Sequence, residues 1–255
     1  MRLYLNEKEY IETNEPLDLS IGLQAGEENL RAWYVNPPTF EPVRANGFIG
    51  SVKEGGGVNF RDVFFNPHGH GTHTECHGHI TPEVVSVNQK LRSYFFKARL
   101  VSVQPEILEN GDELITKNLL AEKIDDSPFE ALIIRTLQNS LVKTSKNYSD
   151  TNPPYLDLSV MEIIEKHDIQ HLLVDMPSVD RESDEGKLAF HHAFWNVPEN
   201  PNDKTITELI YVKDEIEDGL YILEIQMAPF ENDASPSRPV LYKIQGKEKF
   251  LKTQS

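Results

Sequence analysis

The sequence predicts an α/β fold, because apolar strands alternate with helices in the middle of the chain. Ala131–Thr136 and His171–Asp175 are almost continuous apolar runs of strand length, which is typical of buried strands. Between them, Ser159-Val160-Met161-Glu162 has the pattern of a capping box and predicts a helix to about His167. Helices between buried strands imply parallel pairing, and this is the core of an α/β domain.

The two ends of the chain predict a second, partly antiparallel sheet. Thr116 is expected to cap a short helix over Lys117–Lys123, and the polar stretch from Gln138 to Pro154 is expected to be a surface loop. Short strands are predicted at Arg2–Leu5, Glu9–Thr13, Leu17–Leu23, Phe95–Val103, Gly219–Gln226 and Pro239–Ile244. Because no linker separates these parts, we expect residues 1–255 to form a single domain.

Composition excludes several classes of function. The chain has 255 residues, with 25 Lys and Arg against 41 Asp and Glu, so its formal charge is −16. A nucleic-acid binder or a protein of anionic membrane surfaces needs a basic face, and this chain has none. It contains no apolar run of the ~20 residues that a membrane helix needs, and its start lacks the apolar stretch of a signal peptide. A single cysteine, Cys76, excludes an internal disulfide, and together these features predict a cytoplasmic protein.

Five of the nine histidines fall within twelve residues and predict a metal site. They are His68, His70, His73, His77 and His79, with Glu75 among them. Imidazole and carboxylate together suit Zn²⁺, Mn²⁺ or Fe²⁺ better than Ca²⁺ or Mg²⁺. A His-rich surface loop and a structural zinc site are the alternatives, and Cys76 is either a further ligand or a small neighbour of the site.

Three residues further along the chain are also candidates for the site. His191 and His192 precede the aromatic pair Phe194-Trp195, so either could act as a general acid or base, or as a further ligand, and packing is the alternative. Glu224 interrupts an apolar strand, where a buried carboxylate is costly unless it is paired or bound to a metal. Strand alternation could equally place Glu224 on an exposed face.

These residues resemble the metal-dependent cyclase/hydrolase family that includes bacterial kynurenine formamidase and isatin hydrolase. The family pattern is H-x-G-T-H-x-D-x-P-x-H, followed by a D-x-P-S-x-D segment, a later His, a late Glu and a closing G-S-P-x-R segment. The corresponding positions here are Gly71-Thr72-His73, Glu75, His79, Val174–Asp180, His191, Glu224 and Asp233–Arg238.

The chain departs from that pattern at three positions. Gly69 occupies the place of the first His, so His68 or His70 is expected to supply that ligand, with His68 preferred. Glu75 replaces a shorter Asp, and His77 replaces the Pro between the last two ligands.

The resemblance implies a single three-layer β/β/α domain with mixed sheets, assembled as a homo-oligomer (dimer or tetramer). It implies metal-assisted hydrolysis of a C–N amide bond, most like that of an aryl formamidase that converts N-formylkynurenine to kynurenine and formate in tryptophan catabolism. One or two Zn or Mn ions would be held by His68 or His70, His73, Glu75, His79 and Glu224. Glu75 would orient water or bridge two ions, and His191 or His192 would protonate the leaving nitrogen.

The substrate expected from this reasoning is a small amide with a planar ring. Trp33, Phe60 and Trp195 are candidates for an aromatic pocket, with core packing as the alternative for each. Hydrolysis of a cyclic amide or imide is the alternative reaction. A non-catalytic protein that binds a metal or a ligand is the alternative of another class.

Overall fold

The computed structural model describes residues 1–246, which form eighteen short strands and four short helices. The strands are β1 (Arg2–Tyr4), β2 (Glu9–Glu12), β3 (Leu17–Asp18), β4 (Thr39–Pro42), β5 (Arg44–Ala45), β6 (Phe48–Ile49), β7 (Arg61–Phe64), β8 (His73–Glu75), β9 (Phe95–Val103), β10 (Glu106–Ile107), β11 (Glu113–Ile115), β12 (Ala131–Thr136), β13 (Tyr155–Leu156), β14 (His171–Val174), β15 (Thr205–Glu208), β16 (Gly219–Met227), β17 (Ala234–Lys243) and β18 (Gln245–Gly246). The helices are α1 (Val87–Lys90), α2 (Lys117–Ala121), α3 (Met161–Lys166) and α4 (Ala189–Trp195).

Seven strands close into one barrel-like sheet in the order β16-β9-β12-β14-β15-β8-β17, because β16 pairs with both β9 and β17. The four strands β9, β12, β14 and β15 are mutually parallel, as the alternation of strands and helices predicted. The remaining pairings in the closed sheet are antiparallel, and β3 adds to β17 as an eighth strand. The α/β class with mixed strand directions is therefore confirmed.

The parallel strands are buried on both faces, which is why their sequences are continuously apolar. Along β12, Ala131 and Ile133 belong to the core inside the closed sheet, whereas Leu132 and Ile134 pack with the helices on its outer face. The outer core includes Ile164 of α3 and the aromatic residues of α4. This outer face also carries the candidate functional site.

Several expectations about the elements need correction. The strands near the two ends divide between two sheets: β1, β2 and β18 form a separate three-stranded antiparallel sheet, whereas β9, β16 and β17 complete the closed sheet. β17 begins at Ala234, earlier than the predicted Pro239, and the strand predicted at Leu17–Leu23 stops at Asp18. The helix predicted from Ser159 begins with a 3-10 turn, Leu158–Val160, whose N-cap residue Asp157 accepts the backbone N–H of Ser159.

None of the helices within residues 1–246 is long and apolar enough to cross a membrane. The single-domain prediction for residues 1–255 extends past the described residues and stays a prediction.

Candidate metal centre

Two neighbouring strands place three of the site's side chains on one face. His73 and Glu75 lie two residues apart on β8, so both point to the same side, and Thr74 between them points to the other. β15 runs antiparallel to β8 with Glu208 directly opposite His73. All three side chains are buried, and His73 Nε2 lies 3.5 Å from Glu208 Oε2 and 3.9 Å from Glu75 Oε2.

His68 reaches this group from the turn that follows β7. A Cβ atom at the next residue, Gly69, would lie 2.9 Å from the Val35 side chain and 3.1 Å from the Ala32 carbonyl, so a larger residue there would force both neighbours to move. His68 Nδ1 lies 3.0 Å from Glu75 Oε2, and His68 Nε2 lies 2.7 Å from Asp233 Oδ2.

His191 enters from the first turn of α4 and lies between two carboxylates. Its Nδ1–H donates to Asp180 Oδ2 at 2.6 Å, and its Nε2 lies 3.1 Å from Glu75 Oε1. Asp180 also accepts the backbone N–H groups of Phe190 and His191, which fixes the carboxylate at the start of the helix. A carboxylate that orients a histidine in this way is typical of a histidine that ligates a metal.

His79 is the most accessible histidine of the cluster, with 30% of its side chain exposed. Its ring stacks on that of His68 with the centroids 4.2 Å apart. His79 Nδ1 lies 3.4 Å from Asp233 Oδ2, so one carboxylate serves both rings.

The carboxylates around the histidines set the charges of the site. Burial alone would lower the pKa of His191, but Asp180 and Glu75 outweigh it and raise that pKa to about 10. The pKa of His68 rises to about 10 in the same way, because Asp233 and Glu75 outweigh burial. Burial raises the pKa of Glu75, but the surrounding histidines hold it well below its usual range. The pocket is therefore built to accept positive charge.

Two buried atoms of this cluster, His73 Nε2 and Glu75 Oε2, make no hydrogen bond of good geometry within residues 1–246, although His68 Nδ1 lies 3.0 Å from the second. His73 Nδ1–H donates to the Gly71 carbonyl, so Nε2 presents its lone pair toward the carboxylates. Unpaired buried acceptors that face each other are costly unless a cation lies between them. Nitrogen and oxygen donors within 4.8 Å of one another occur in three overlapping groups: His68 with His79 and Asp233, His68 with His73 and Glu75, and Glu75 with His79 and His191. This donor set fits a divalent transition metal.

The structure does not bring His70, His192 or Glu224 into the cluster. His70 Nδ1 accepts the backbone N–H of Asn66, and its Nε2–H donates to the Asn36 carbonyl, so neither nitrogen is free to bind a metal.

His192 and Glu224 form their hydrogen bonds outside the cluster. His192 Nδ1 lies 3.1 Å from the Val197 carbonyl. Glu224 lies on β16, where it accepts hydrogen bonds from the Tyr242 hydroxyl at 2.7 Å and from Gln226 at 2.9 Å.

The three predicted aromatic residues occupy different environments. Trp33 lines a cavity of about 350 Å³ that opens onto the cluster. Trp195 is buried behind His191, with ring centroids 5.2 Å apart, and its indole N–H donates to the Lys204 carbonyl. Phe60 is 59% exposed, packs edge-on against Phe48 and is not among the residues that line the cavity.

The cavity combines cluster residues with the loop that precedes α4. It is lined by Trp33, Val35, Asn66, His68, His79, Ser178, Arg181, Glu182, Asp184, Leu188, His191 and Glu208. A second cavity of about 360 Å³ lies on the other side of the 66–72 segment; it contains His70 and no member of the cluster. The chemistry of the donor set, rather than cavity size, marks the first as the functional cavity.

Sequence reasoning gave no role to Glu208, Asp180 or Asp233. The last two lie in the quoted motifs, but their roles depend on contacts with distant histidines. Glu208 ends Thr205-Ile206-Thr207-Glu208, which has the strict alternation of a strand. That alternation places Glu208 on the same face as the buried Ile206, so the sequence pattern could have indicated a buried carboxylate at Glu208.

The comparisons with known proteins establish the family and the fold of the chain. Residues 17–181, nearly two thirds of the chain, match the family described as "Putative cyclase", so the chain belongs to the cyclase family and the resemblance seen in the sequence is confirmed. No curated protein matches the chain.

Several solved structures share the fold. A protein described as a predicted metal-dependent hydrolase from Bacillus stearothermophilus is 15% identical, with a TM-score of 0.60 over 89% of this chain and 98% of its own. Isatin hydrolase A from Labrenzia aggregata, solved with benzyl benzoate, is 13% identical, with a TM-score of 0.62 over 89% and 93%. Isatin hydrolase A from Ralstonia solanacearum is 13% identical, with a TM-score of 0.63 over 89% and 91%. At these identities the likeness establishes the cyclase fold.

Proposed function

We propose that this protein is a metal-dependent hydrolase that cleaves a C–N amide bond. The observation that carries the proposal is the buried pair His73 Nε2 and Glu75 Oε2, which lie 3.9 Å apart without a hydrogen bond of good geometry in a cluster that opens into a cavity. A hydrolase of this kind needs both a cation and room for a substrate, and the cluster and the cavity would provide them.

The residues that would hold the metal are His68, His73, Glu75, His191 and Glu208. One or two ions of Zn or Mn per chain are proposed, since the donor groups overlap. A divalent cation here would polarise the substrate carbonyl and make water a stronger nucleophile.

The chain's own groups then carry out three tasks. Asp180 holds His191 in one orientation, and Asp233 does the same for His68, so the donor atoms are positioned before the substrate arrives. Glu75 lies at the centre of the cluster, where its carboxylate can orient the attacking water. His79 lines the cavity and is the most accessible histidine of the cluster, so it is better placed than His192 to protonate the leaving nitrogen.

The substrate class divides into two candidates. A linear aryl formamide such as N-formylkynurenine is the prediction made from the sequence. A cyclic amide is favoured by the fold neighbours named as isatin hydrolases. A cavity of about 350 Å³ with Trp33 in its wall has room for a planar ring system of either kind.

We also propose a cytoplasmic location and a homo-oligomeric state, dimer or tetramer. The location is proposed from the composition and the single cysteine, and the homo-oligomer from the resemblance to the family.

The proposal is tested by the turnover of N-formylkynurenine and of isatin, side by side, with protein loaded with Zn or Mn. Wild-type protein should hydrolyse one of the two, and removal of the metal should abolish that activity. The His73→Ala variant should lose activity, and His70→Ala, with its histidine outside the cluster, should keep it. Metal bound in stoichiometric amount without hydrolysis of either compound, or of a wider amide panel, would contradict the proposal and favour a non-catalytic binding protein.

A further inference from the structure

One arginine lines the cavity beside the histidine cluster. Arg181 directly follows Asp180, the residue that orients His191, and it lines the same cavity as His79 and His191. Among the residues within 1–246 that line this cavity, it is the only lysine or arginine. Its side chain is 40% exposed and is among those that line the cavity.

A buried carboxylate holds this guanidinium in place. Arg181 Nη2 donates to Asp112 Oδ1 at 3.0 Å, and its Nε lies 2.9 Å from Asp112 Oδ2. Asp112 is itself fixed by Tyr155 and by the side-chain amides of Asn110 and Asn152. This carboxylate is ionised, because those hydrogen bonds outweigh its burial and lower its pKa.

The anchoring leaves part of the guanidinium free to bind a ligand. Nη1 donates one hydrogen bond, to the Ser183 carbonyl, and Nη2 donates one to Asp112. A guanidinium has five N–H donors, so Nη1 and Nη2 each keep a further N–H. An immobilised arginine loses little entropy on binding, and it suits the two oxygens of a carboxylate.

The carboxylates next to Arg181 in the sequence form hydrogen bonds with backbone groups rather than with its guanidinium. Glu182 accepts the backbone N–H groups of Asp150 and Asn152. Asp184 accepts those of Gly186 and Leu188, so both carboxylates stabilise loops. Because the chain has a formal charge of −16, an anionic ligand gains nothing from long-range attraction and needs a local cation.

We infer that Arg181 is a specificity-determining residue that binds a carboxylate on the substrate, so that the preferred substrates carry an anionic group besides the bond that is cleaved. The assignment of the ligand as a substrate rests on the proposed hydrolase function. The recognition of the anion can be measured without any turnover.

The test compares two ligands that differ in one group. Anthranilate carries a carboxylate, and anthranilamide has a neutral amide in its place. Calorimetric titration of wild-type protein should show anthranilate binding about 10- to 100-fold more tightly, the range expected for a hydrogen bond to a charged group. Both metal-loaded and metal-free protein are titrated, because a metal also attracts carboxylates.

Three variants separate recognition from a structural role. Arg181→Met should abolish the preference for anthranilate, and Arg181→Lys should keep part of it, because lysine retains the charge. Arg92→Met removes the same charge from an exposed position at the end of α1, and it should leave the preference unchanged. The thermal unfolding midpoint of each variant shows whether the loop has remained folded.

The outcomes are distinct. The inference would be overturned if Arg181→Met kept the wild-type preference for anthranilate, or if it lowered the affinity for anthranilate and for anthranilamide by the same factor. Arg181 would then be a structural partner of Asp112. Loss of the preference in a protein that hydrolyses no amide would uphold anion recognition while the proposed hydrolase function fails. Where turnover is found, Arg181→Met should raise KM for the anionic substrate with little change in kcat.

Discussion

His191 and His171 are buried to a similar degree, but they lie in regions of opposite electrostatic character. His191 is 2% exposed in the candidate metal centre, and His171 is 8% exposed at the start of β14. The His171 ring packs on Phe96 with centroids 3.9 Å apart, and its Nδ1 lies 2.8 Å from the Thr205 hydroxyl. Burial without a charged partner lowers the pKa of His171 to about 4, whereas the carboxylates around His191 overcome burial and raise its pKa to about 10.

This difference shows that charged neighbours decide whether a buried histidine is neutral or positively charged. Around His171 the protein offers an aromatic ring and a hydroxyl, which are adequate partners for a neutral imidazole in a core. Around His191 it offers Asp180, Glu75 and Glu208, which stabilise positive charge whether a proton or a metal ion supplies it. Substitutions in the cluster and at His171 can therefore test the contrast from either side.

The largest effect is expected from Glu75→Gln, which removes the central negative charge of the cluster but keeps its shape. Metal affinity should fall by more than about 100-fold, beyond the usual effect of changing an outer partner. Glu224→Gln is the matched control: the same substitution on β16 should leave metal content unchanged. Isothermal titration with Mn²⁺ or Zn²⁺ measures both, and equal affinity of Glu75→Gln and wild type would contradict the assignment of the centre.

Asp180→Asn should have the next largest effect. The substitution keeps the size of the side chain but weakens the hydrogen bond that orients His191. Metal affinity should fall by about 10- to 100-fold while the fold is retained. Competition with a chelator of known affinity measures this change; an unchanged affinity would show that His191 does not ligate the metal.

His171 should make stability depend on pH in a defined window. Its folded-state pKa of about 4 lies below the ordinary histidine pKa of 6.5, so the unfolded chain binds more protons between these values. The stability that a neutral His171 allows is fully present above pH 6.5 and is lost as pH falls toward 4, by up to about 3 kcal/mol.

Urea unfolding at a series of pH values tests this expectation. The difference in unfolding free energy between wild type and His171→Asn should shrink or reverse as pH falls from 6.5 to 4. A difference that stays constant over that window would show that His171 is not buried in its neutral form.

The smallest effect on metal content is expected from His70→Ala. Both nitrogens of this ring already bond to backbone groups of Asn66 and Asn36, so its loss should leave metal stoichiometry unchanged in the folded protein. His68→Ala, two residues away, should lower the metal stoichiometry. Elemental analysis of the two variants makes the comparison, and the reverse result would mean that His70 supplies the ligand.

The parallel half of the fold could be predicted because its signal is local. The continuous apolar runs of β12 and β14 and the helix between them determine parallel pairing without knowledge of distant contacts. Closure of the sheet could not be predicted, because it depends on β16 pairing with both β9 and β17, and the strand pattern of β16 is compatible with a separate antiparallel sheet.

The candidate site also has a part that could be predicted from local sequence and a part that could not. The cluster around Glu75 was predictable because its spacing within one segment is chemically specific. The structure places Glu208, and not Glu224, beside His73, although Glu224 has the more conspicuous position in an apolar strand. A carboxylate that interrupts an apolar strand is recognisable from sequence, but the face to which it points depends on how the sheet closes. Whether His68 or His70 faces the cluster depends on the path that Gly69 takes against Val35, which no local pattern encodes.

The central claim is that the carboxylate and histidine cluster is a cation site, and metal content tests it most directly. Tag-free protein is analysed by elemental mass spectrometry as purified, and again after incubation with Zn²⁺ and Mn²⁺ and removal of the excess. The account predicts one or two equivalents of metal per chain in wild-type protein and far less in Glu75→Gln. A wild-type protein that retains no metal after both treatments would contradict it.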